Sequence, residues 1–220
     1  MPRTIAIGDI HGCASALAAI LAEIQPSALD TIVGLGDYID RGPQSSTVLE
    51  MLSDLVSRCR FVPLIGNHEI MMFRAIHGSQ REFDFWFQHG GSTTLASYGG
   101  NLKWVPQHHL AFLGHCLRFY ETDTHFFVHA NYEEEVPLPE QADEVLFWRH
   151  VSEYPPQEHA SGKIAIVGHT PQFDGEILDI GHLKVLDTFC YGGQWLTALD
   201  VDNGTIWQAN NEGQVRIDQI

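Results

Sequence analysis

Residues 4–12 read TIAIGDIHG, and the reading of that stretch decides the fold. The apolar run has the length of a strand but does not alternate with polar residues, so both of its faces must be covered. Gly8 ends the run and passes the chain to Asp9 and His11, two metal-ligand residue types in a turn. The pattern recurs twice. Residues 31–42 read TIVGLGDYIDRG and residues 61–69 read FVPLIGNHE, each an apolar run broken by Gly and followed by Asp, Asn or His. The intervals carry helical spacing. Residues 14–24 are rich in Ala and Leu and stop at Gln25-Pro26, and residues 45–57 place Val48, Leu49, Leu52, Leu55 and Val56 on one side after Pro43. A third helix is predicted from about His68 to Ile76. This alternation of strand and helix predicts a largely parallel sheet, with ligands at the carboxyl ends of its strands.

The second half has a different pattern. Residues 117–120, 125–129, 163–168, 183–187, 196–201 and 205–208 are short strand-like runs, and Asp202-Asn203-Gly204 marks a hairpin between the last two. Residues 81–112 are rich in aromatics, Gly and His. They predict short helices, with FDFWF at 83–87 read as core packing rather than a substrate platform. The acidic, Pro-containing stretch 133–143 reads as a loop. With no repeat, low-complexity tract or linker, residues 1–220 are expected to form one α/β (α+β) domain, two mixed sheets packed together with helices outside.

Lys and Arg number 12 against 28 Asp and Glu, a formal charge of −16. Such a surface disfavours nucleic acid and anionic membrane, which need clustered cations. No apolar run approaches the roughly 20 residues of a membrane span. The N-terminus lacks a signal-peptide cleavage pattern, so a cytoplasmic protein is expected. The four cysteines form no CxxC pair and suggest neither a thiolate metal site nor a disulfide scaffold. The 13 histidines are many for so few basic residues, and their positions carry the meaning.

Five predicted strand ends finish in ligand types: Asp9 and His11; Asp37 with Asp40 and Arg41; Asn67 and His68; His129; and His169. Singly, each is an ordinary turn, cap or structural histidine. Five together predict one cluster at one edge of the sheets. A mixed Asp, Asn and His set suits Mn²⁺, Fe or Zn²⁺, whereas softer ions prefer thiolates.

The blocks GDIHG, GDYIDRG, GNHE, the later His129 and GHT resemble the signature of the calcineurin-like metallophosphoesterases. Within these they resemble the compact bacterial and bacteriophage branch of the phosphoprotein phosphatases. The blocks keep the family's order and extend to LDTFCYGGQWLTALD at 186–200, so the resemblance covers most of the chain. It implies a β-sandwich of two mixed sheets. It also implies two divalent cations, Mn²⁺ foremost with Fe, Zn²⁺ or Co²⁺ as alternatives. Asp9, His11 and Asp37 would hold the first, and Asp37 would bridge to a second completed by Asn67, His129 and His169. A metal-bridging hydroxide would attack phosphorus in line. His68 would be the general acid, with Asp40 orienting it. Arg41, Asn67 and Arg149 would bind the phosphoryl oxygens, Arg149 by resemblance of Leu146-Phe147-Trp148-Arg149 to the family's Leu-Trp segment. Glu69 would support its neighbours, and Gly192 and Gly193 would make a turn nearby. One departure stands out, because relatives often carry Gly where this chain has Phe189.

The leading expectation is a metal-dependent phosphoprotein phosphatase acting on phosphoserine or phosphothreonine, with phosphotyrosine also open. The alternative is a symmetrical dinucleoside tetraphosphatase or another nucleotide or polynucleotide phosphatase. Asp40 and GNHE weigh toward the former, since the dinucleotide hydrolases usually lack that Asp and carry GNHD. The expected partner is a phosphorylated protein or small phosphoester, with no nucleic acid, membrane or regulatory subunit. A binding module without catalysis would lack a ligand or the acid, and none is missing.

Overall fold

The computed structural model describes residues 2–220. Its first half is β1 (Thr4–Ile7), α1 (Ala14–Ile24), β2 (Thr31–Gly34), α2 (Ser45–Leu55), β3 (Arg60–Pro63) and α3 (Asn67–His77). The three strands pair in parallel, Ala6 opposite Val33 and Val33 opposite Val62. α1 buries Leu17, Ile20, Leu21 and Ile24 and ends where Gln25 turns left-handed ahead of Pro26, which cannot continue a helix. α4 (Gln80–Trp86), a π-helical turn (Phe87–Gly91), α5 (Ser92–Ser97) and α6 (Gln107–Gly114) follow. FDFWF is therefore helical.

The second half is β4 (Phe119–Glu121), β5 (His125–Val128), α7 (Asp143–Trp148), β6 (Ile164–Val167), β7 (Leu178–Asp179), β8 (Leu183–Val185), β9 (Leu196–Asp200), β10 (Thr205–Ala209) and β11 (Val215–Gln219). β9 and β10 make the hairpin that Asp202-Asn203-Gly204 predicts. Two mixed sheets result, one ordered β11-β10-β9-β1-β2-β3 and the other β4-β5-β6-β8-β7. The parallel expectation holds for β1 to β3. The chain then returns β9 antiparallel to β1, which makes that sheet mixed. β7 and β11 were not anticipated, because one has only two residues and the other, VRIDQ, is largely exposed at a sheet edge.

The unbroken apolar strands follow from the layering. Ala6, Val33 and Leu199 pack between the sheets against Phe127, Ile166 and Leu186. Ile5, Ile7 and Ala198 face the opposite way, into a cluster with Leu17, Ile20, Val48, Leu49 and Leu52 of α1 and α2. On the far side Phe126, Val128, Ala165 and Val167 meet Leu146 and Phe147 of α7. Along the central strands neither sheet face is left to water. Each fully buried aliphatic side chain contributes about 1.5–3 kcal/mol, enough for the central strands to hold their loops in strained conformations.

Candidate active site

β1, β2 and β3 end at Ile7, Gly34 and Pro63, and the parallel pair β5 and β6 ends at Val128 and Val167. The loops beyond these ends bring the sequence blocks together. Asp9, His11, Asp37, Asp40, Asn67, His68 and His129 are buried and His169 is half-buried. Among the described residues, seven non-glycine residues have positive φ. Five lie in these loops, His11 (45°), Asp37 (51°), Asp40 (71°), Arg41 (66°) and His169 (62°), and a sixth, Phe189 (60°), follows β8. Each costs about 1–3 kcal/mol and persists only where its surroundings over-determine it.

Asp37 is central. Its Oδ2 lies 3.5 Å from Nε2 of His11 and its Oδ1 3.5 Å from Nε2 of His129. Two groups of possible ligands share it, one with His11 and His68 and the other with His129 and His169. Hydrogen bonds to backbone carbonyls set the tautomers. His11 donates from Nδ1 to Ile39 O at 2.8 Å, and His129 from Nδ1 to Leu35 O at 2.8 Å. His169 donates from Nε2 to Trp148 O at 3.2 Å. The free lone pairs of His129 and His169 then face Oδ1 of Asn67 at 3.0 and 3.1 Å. Three acceptors pointing at one space are suited to a cation, and backbone partners behind ligand histidines are the usual way to fix them. Burial lowers the pKa of all three imidazoles, that of His169 to about 3, which keeps them neutral and able to ligate. Asp9 accepts from the backbone N–H of His169 at 3.0 Å. Burial first, then the charges of Asp187 and Asp37, push its pKa well up. Asp187 itself, absent from the sequence expectations, is buried with Oδ2 unpartnered. So much carboxylate in so dry a place fits two divalent cations, and these residues form a candidate binuclear metal centre.

Beside the centre, Nδ1 of His68 donates to Oδ2 of Asp40 at 2.7 Å, leaving Nε2 directed toward Asp37 at 3.9 Å. Burial disfavours the imidazolium, but Asp37 and the bond to Asp40 outweigh it, and the His68 pKa is raised. Asp40 is held from three further sides. Trp86 donates from its indole N–H at 2.9 Å, Thr94 from its hydroxyl at 2.7 Å, and the Asp40 N–H donates to Thr94 and Ser45. Trp86 and Thr94 thus support Asp40, although the sequence reading assigned Trp86 only to the core and did not single out Thr94. The available signal was a buried Trp, whose N–H normally needs a partner.

Arg41 reaches over the centre. It donates to Nε2 of His11 at 3.1 Å and lies 4.6 Å from the Tyr191 ring. Its backbone N–H donates to Gly90 O at 3.1 Å, inside the π-helical turn. Gly90 has a φ of 112°, and a Cβ there would come within 2.9 Å of Arg41. Glu69 is fully buried and accepts 2.9 Å bonds from the backbone N–H groups of Asp37, Tyr38 and Gly66. Arg149 pairs with Glu133 at 3.2 Å and lies over Tyr154 rather than among the metal-ligand side chains. Gly193, at φ 96°, closes the turn expected of it. Phe189 adopts a left-handed conformation, which explains why glycine suits that position, and its ring packs edge-on against Phe173 and Tyr191.

A family model described as calcineurin-like phosphoesterase matches residues 2–202. The symmetrical bis(5'-nucleosyl)-tetraphosphatase of Acidovorax ebreus (strain TPSY) is 32% identical over 137 residues, 49% of this chain and 48% of that protein. Serine/threonine-protein phosphatase 2 of Salmonella typhimurium (strain LT2) is 36% identical over 86 residues, 39% of this chain and 37% of that protein. The chain thus spans about half the length, or less, of the curated relatives it matches. The crystal structure of a cold-active protein-tyrosine phosphatase from a psychrophilic Shewanella sp. superposes with a TM-score of 0.68 over 99% of this chain and 80% of that chain. At 15% identity that likeness is one of fold.

Proposed function

Since the chain belongs to the calcineurin-like phosphoesterase family, we propose that it is a metal-dependent hydrolase of nucleotide phosphoanhydrides or small phosphoesters, with a symmetrical dinucleoside tetraphosphate as the first substrate. The observation that carries the chemistry is the Asp37 carboxylate, whose two oxygens face two ligand groups beside the His68–Asp40 pair. Asp9, His11 and Asp37 would hold one cation, and Asp37, Asn67, His129 and His169 the other. Two cations held there would supply activation of a water and neutralisation of charge on the phosphoryl oxygens. The remaining work falls to side chains. Arg41, already directed at the centre, binds the phosphoryl oxygens with its planar fork. The Asn67 amide and Arg149 add further contacts, Arg149 after exchanging Glu133 for the substrate. His68 gives its Nε2 proton to the leaving oxygen, and Asp40 keeps the ring in the orientation that allows this.

Two observations support a nucleotide. The sequence relatives include symmetrical tetraphosphatases, as in Acidovorax ebreus. Aromatic rings also run outward from Arg41 through Tyr191 and Phe189 to Phe173, which is 67% exposed and able to stack a base. Base stacking on an aromatic ring contributes about 1–3 kcal/mol. Phe173→Ala is therefore expected to raise KM for diadenosine tetraphosphate about 5- to 150-fold, while KM for p-nitrophenyl phosphate stays unchanged. The second reading, a phosphoprotein phosphatase, draws on Asp40 and GNHE and on the Salmonella relative. Metal-stripped protein given Mn²⁺ separates them on diadenosine tetraphosphate, a phosphoserine peptide and a phosphotyrosine peptide. Symmetric cleavage of the dinucleotide supports the proposal. Release from a peptide alone overturns the nucleotide assignment in favour of the second reading.

A further inference from the structure

A second group of ligand atoms lies away from the active site. His108 and His109, adjacent residues in the first turn of α6, both direct Nε2 at one carboxylate oxygen of Glu50 on α2, at 3.0 and 2.9 Å. Neighbouring helical residues point about 100° apart, so convergence on one atom requires the rings to bend toward each other. Their centroids are 4.3 Å apart at 65°. His109 is buried, and its Nδ1 meets the hydroxyl of buried Tyr98 at 2.7 Å. A phenol hydroxyl donates or accepts, so Tyr98 can hold the tautomer in which Nδ1 carries the proton and Nε2 is free to ligate.

We propose that Glu50, His108 and His109 form a third cation site, one that binds a single divalent transition ion such as Zn²⁺ and ties α2 to α6. The donor set is two imidazoles and a carboxylate, which suits Zn²⁺. Tetrahedral coordination with bonds of about 2.0–2.1 Å spaces ligand atoms about 3.3–3.4 Å apart. The two nitrogen–oxygen distances, 3.0 and 2.9 Å, need open by only a few tenths of an ångström. Glu50 and His108 are both more than half exposed and can supply that by small rotations, while buried His109 stays fixed by Tyr98. Burial also holds the His109 pKa down, which keeps the ring neutral. With three protein ligands, a fourth position remains for water. The site is independent of the active-site assignment, since none of its residues reaches the phosphoesterase centre.

Metal-stripped protein is first saturated with Mn²⁺, then dialysed against Zn²⁺ at fixed free concentrations, and bound metal is counted by mass spectrometry. The variants are His108→Ala and Glu50→Ala, whose side chains are more than half exposed and lie outside the core, and Tyr98→Phe. Any exchange of Zn²⁺ into the phosphoesterase centre is common to all four proteins and cancels in the comparison. Wild type is expected to bind one equivalent of Zn²⁺ more than either alanine variant, all with the same phosphoesterase turnover. Tyr98→Phe should retain the equivalent with about 10-fold weaker affinity, the usual effect of losing a partner behind a ligand. Equal zinc in wild type and both alanine variants would overturn the site, and unchanged affinity in Tyr98→Phe would overturn the role given to Tyr98.

Discussion

At the scale of single residues, the proposed proton transfer turns on His68. Its Nδ1 is committed to Asp40 at 2.7 Å, so only Nε2 can serve a leaving oxygen. His68→Asn removes that proton while keeping a side chain of similar reach. Turnover on substrates with poor leaving groups should fall by about 10²–10⁴, with a smaller loss on p-nitrophenyl phosphate. Equal losses on both would remove the acid assignment. The conformations of His11, Asp37 and His169 belong to this scale too. Each is a residue type the sequence marked as a ligand, yet the left-handed backbone that aims it was invisible there. A side chain's identity names the donor atom it offers, whereas its φ depends on what packs behind it.

At the scale of elements, the site is framed by turns whose fit depends on one another. The 3₁₀ turn Cys190–Gly192 curls back on Phe189, and a Cβ at Gly192 would come within 1.9 Å of that ring. Gly192→Ala should therefore destabilise the protein by about 1–3 kcal/mol, read from urea denaturation. It should also disturb Tyr191, which lies between Phe189 and Arg41. A stability equal to wild type would mean that the ring has room to move. The segment from α4 to α5 acts similarly. Read from the sequence, it offered aromatics to the core, which is correct for Trp86, fully buried as it is. That the same indole supports Asp40 depends on α4 and the π-helical turn crossing over the loop after β2. Residues some 46 positions apart meet there, and no local pattern encodes the meeting.

At the scale of the whole molecule, two couplings link stability to solution conditions. Arg3, just before β1, donates from Nε and a terminal nitrogen to both oxygens of Asp30, just before β2, at 3.1 and 2.7 Å. The bond to Arg3 holds the Asp30 carboxyl well below its usual pKa. A depressed folded-state pKa gives stability that is complete above the unfolded value, about 3.9, and is lost as pH falls below it. Asp30→Asn should cost about 1–3 kcal/mol at pH 7, and its gap from wild type should close in acid. A gap as large at pH 2 as at pH 7 would show that lost packing, rather than charge, is responsible. The second coupling is to metal. An ion at 100 times its dissociation constant adds about 2.7 kcal/mol, which for a chain of this size raises Tm by about 5–10 °C. Chelation should lower Tm by that order per ion and abolish phosphate release, both restored by Mn²⁺. An unchanged Tm would place the ions too loosely for the buried ligand set described. The sequence by itself determined that unbroken apolar strands must be covered on both faces, and that their five polar ends carry ligand chemistry. Those are consequences of composition and period, which are local. Only the tertiary structure decided that β9 returns beside β1, that Asp37 faces two ligand groups, that Trp86 and Thr94 hold Asp40, and that Asp187 lies buried beside Asp9. These depend on which distant segments share a dry space, where burial and neighbouring charge, rather than residue type, set what each group can do.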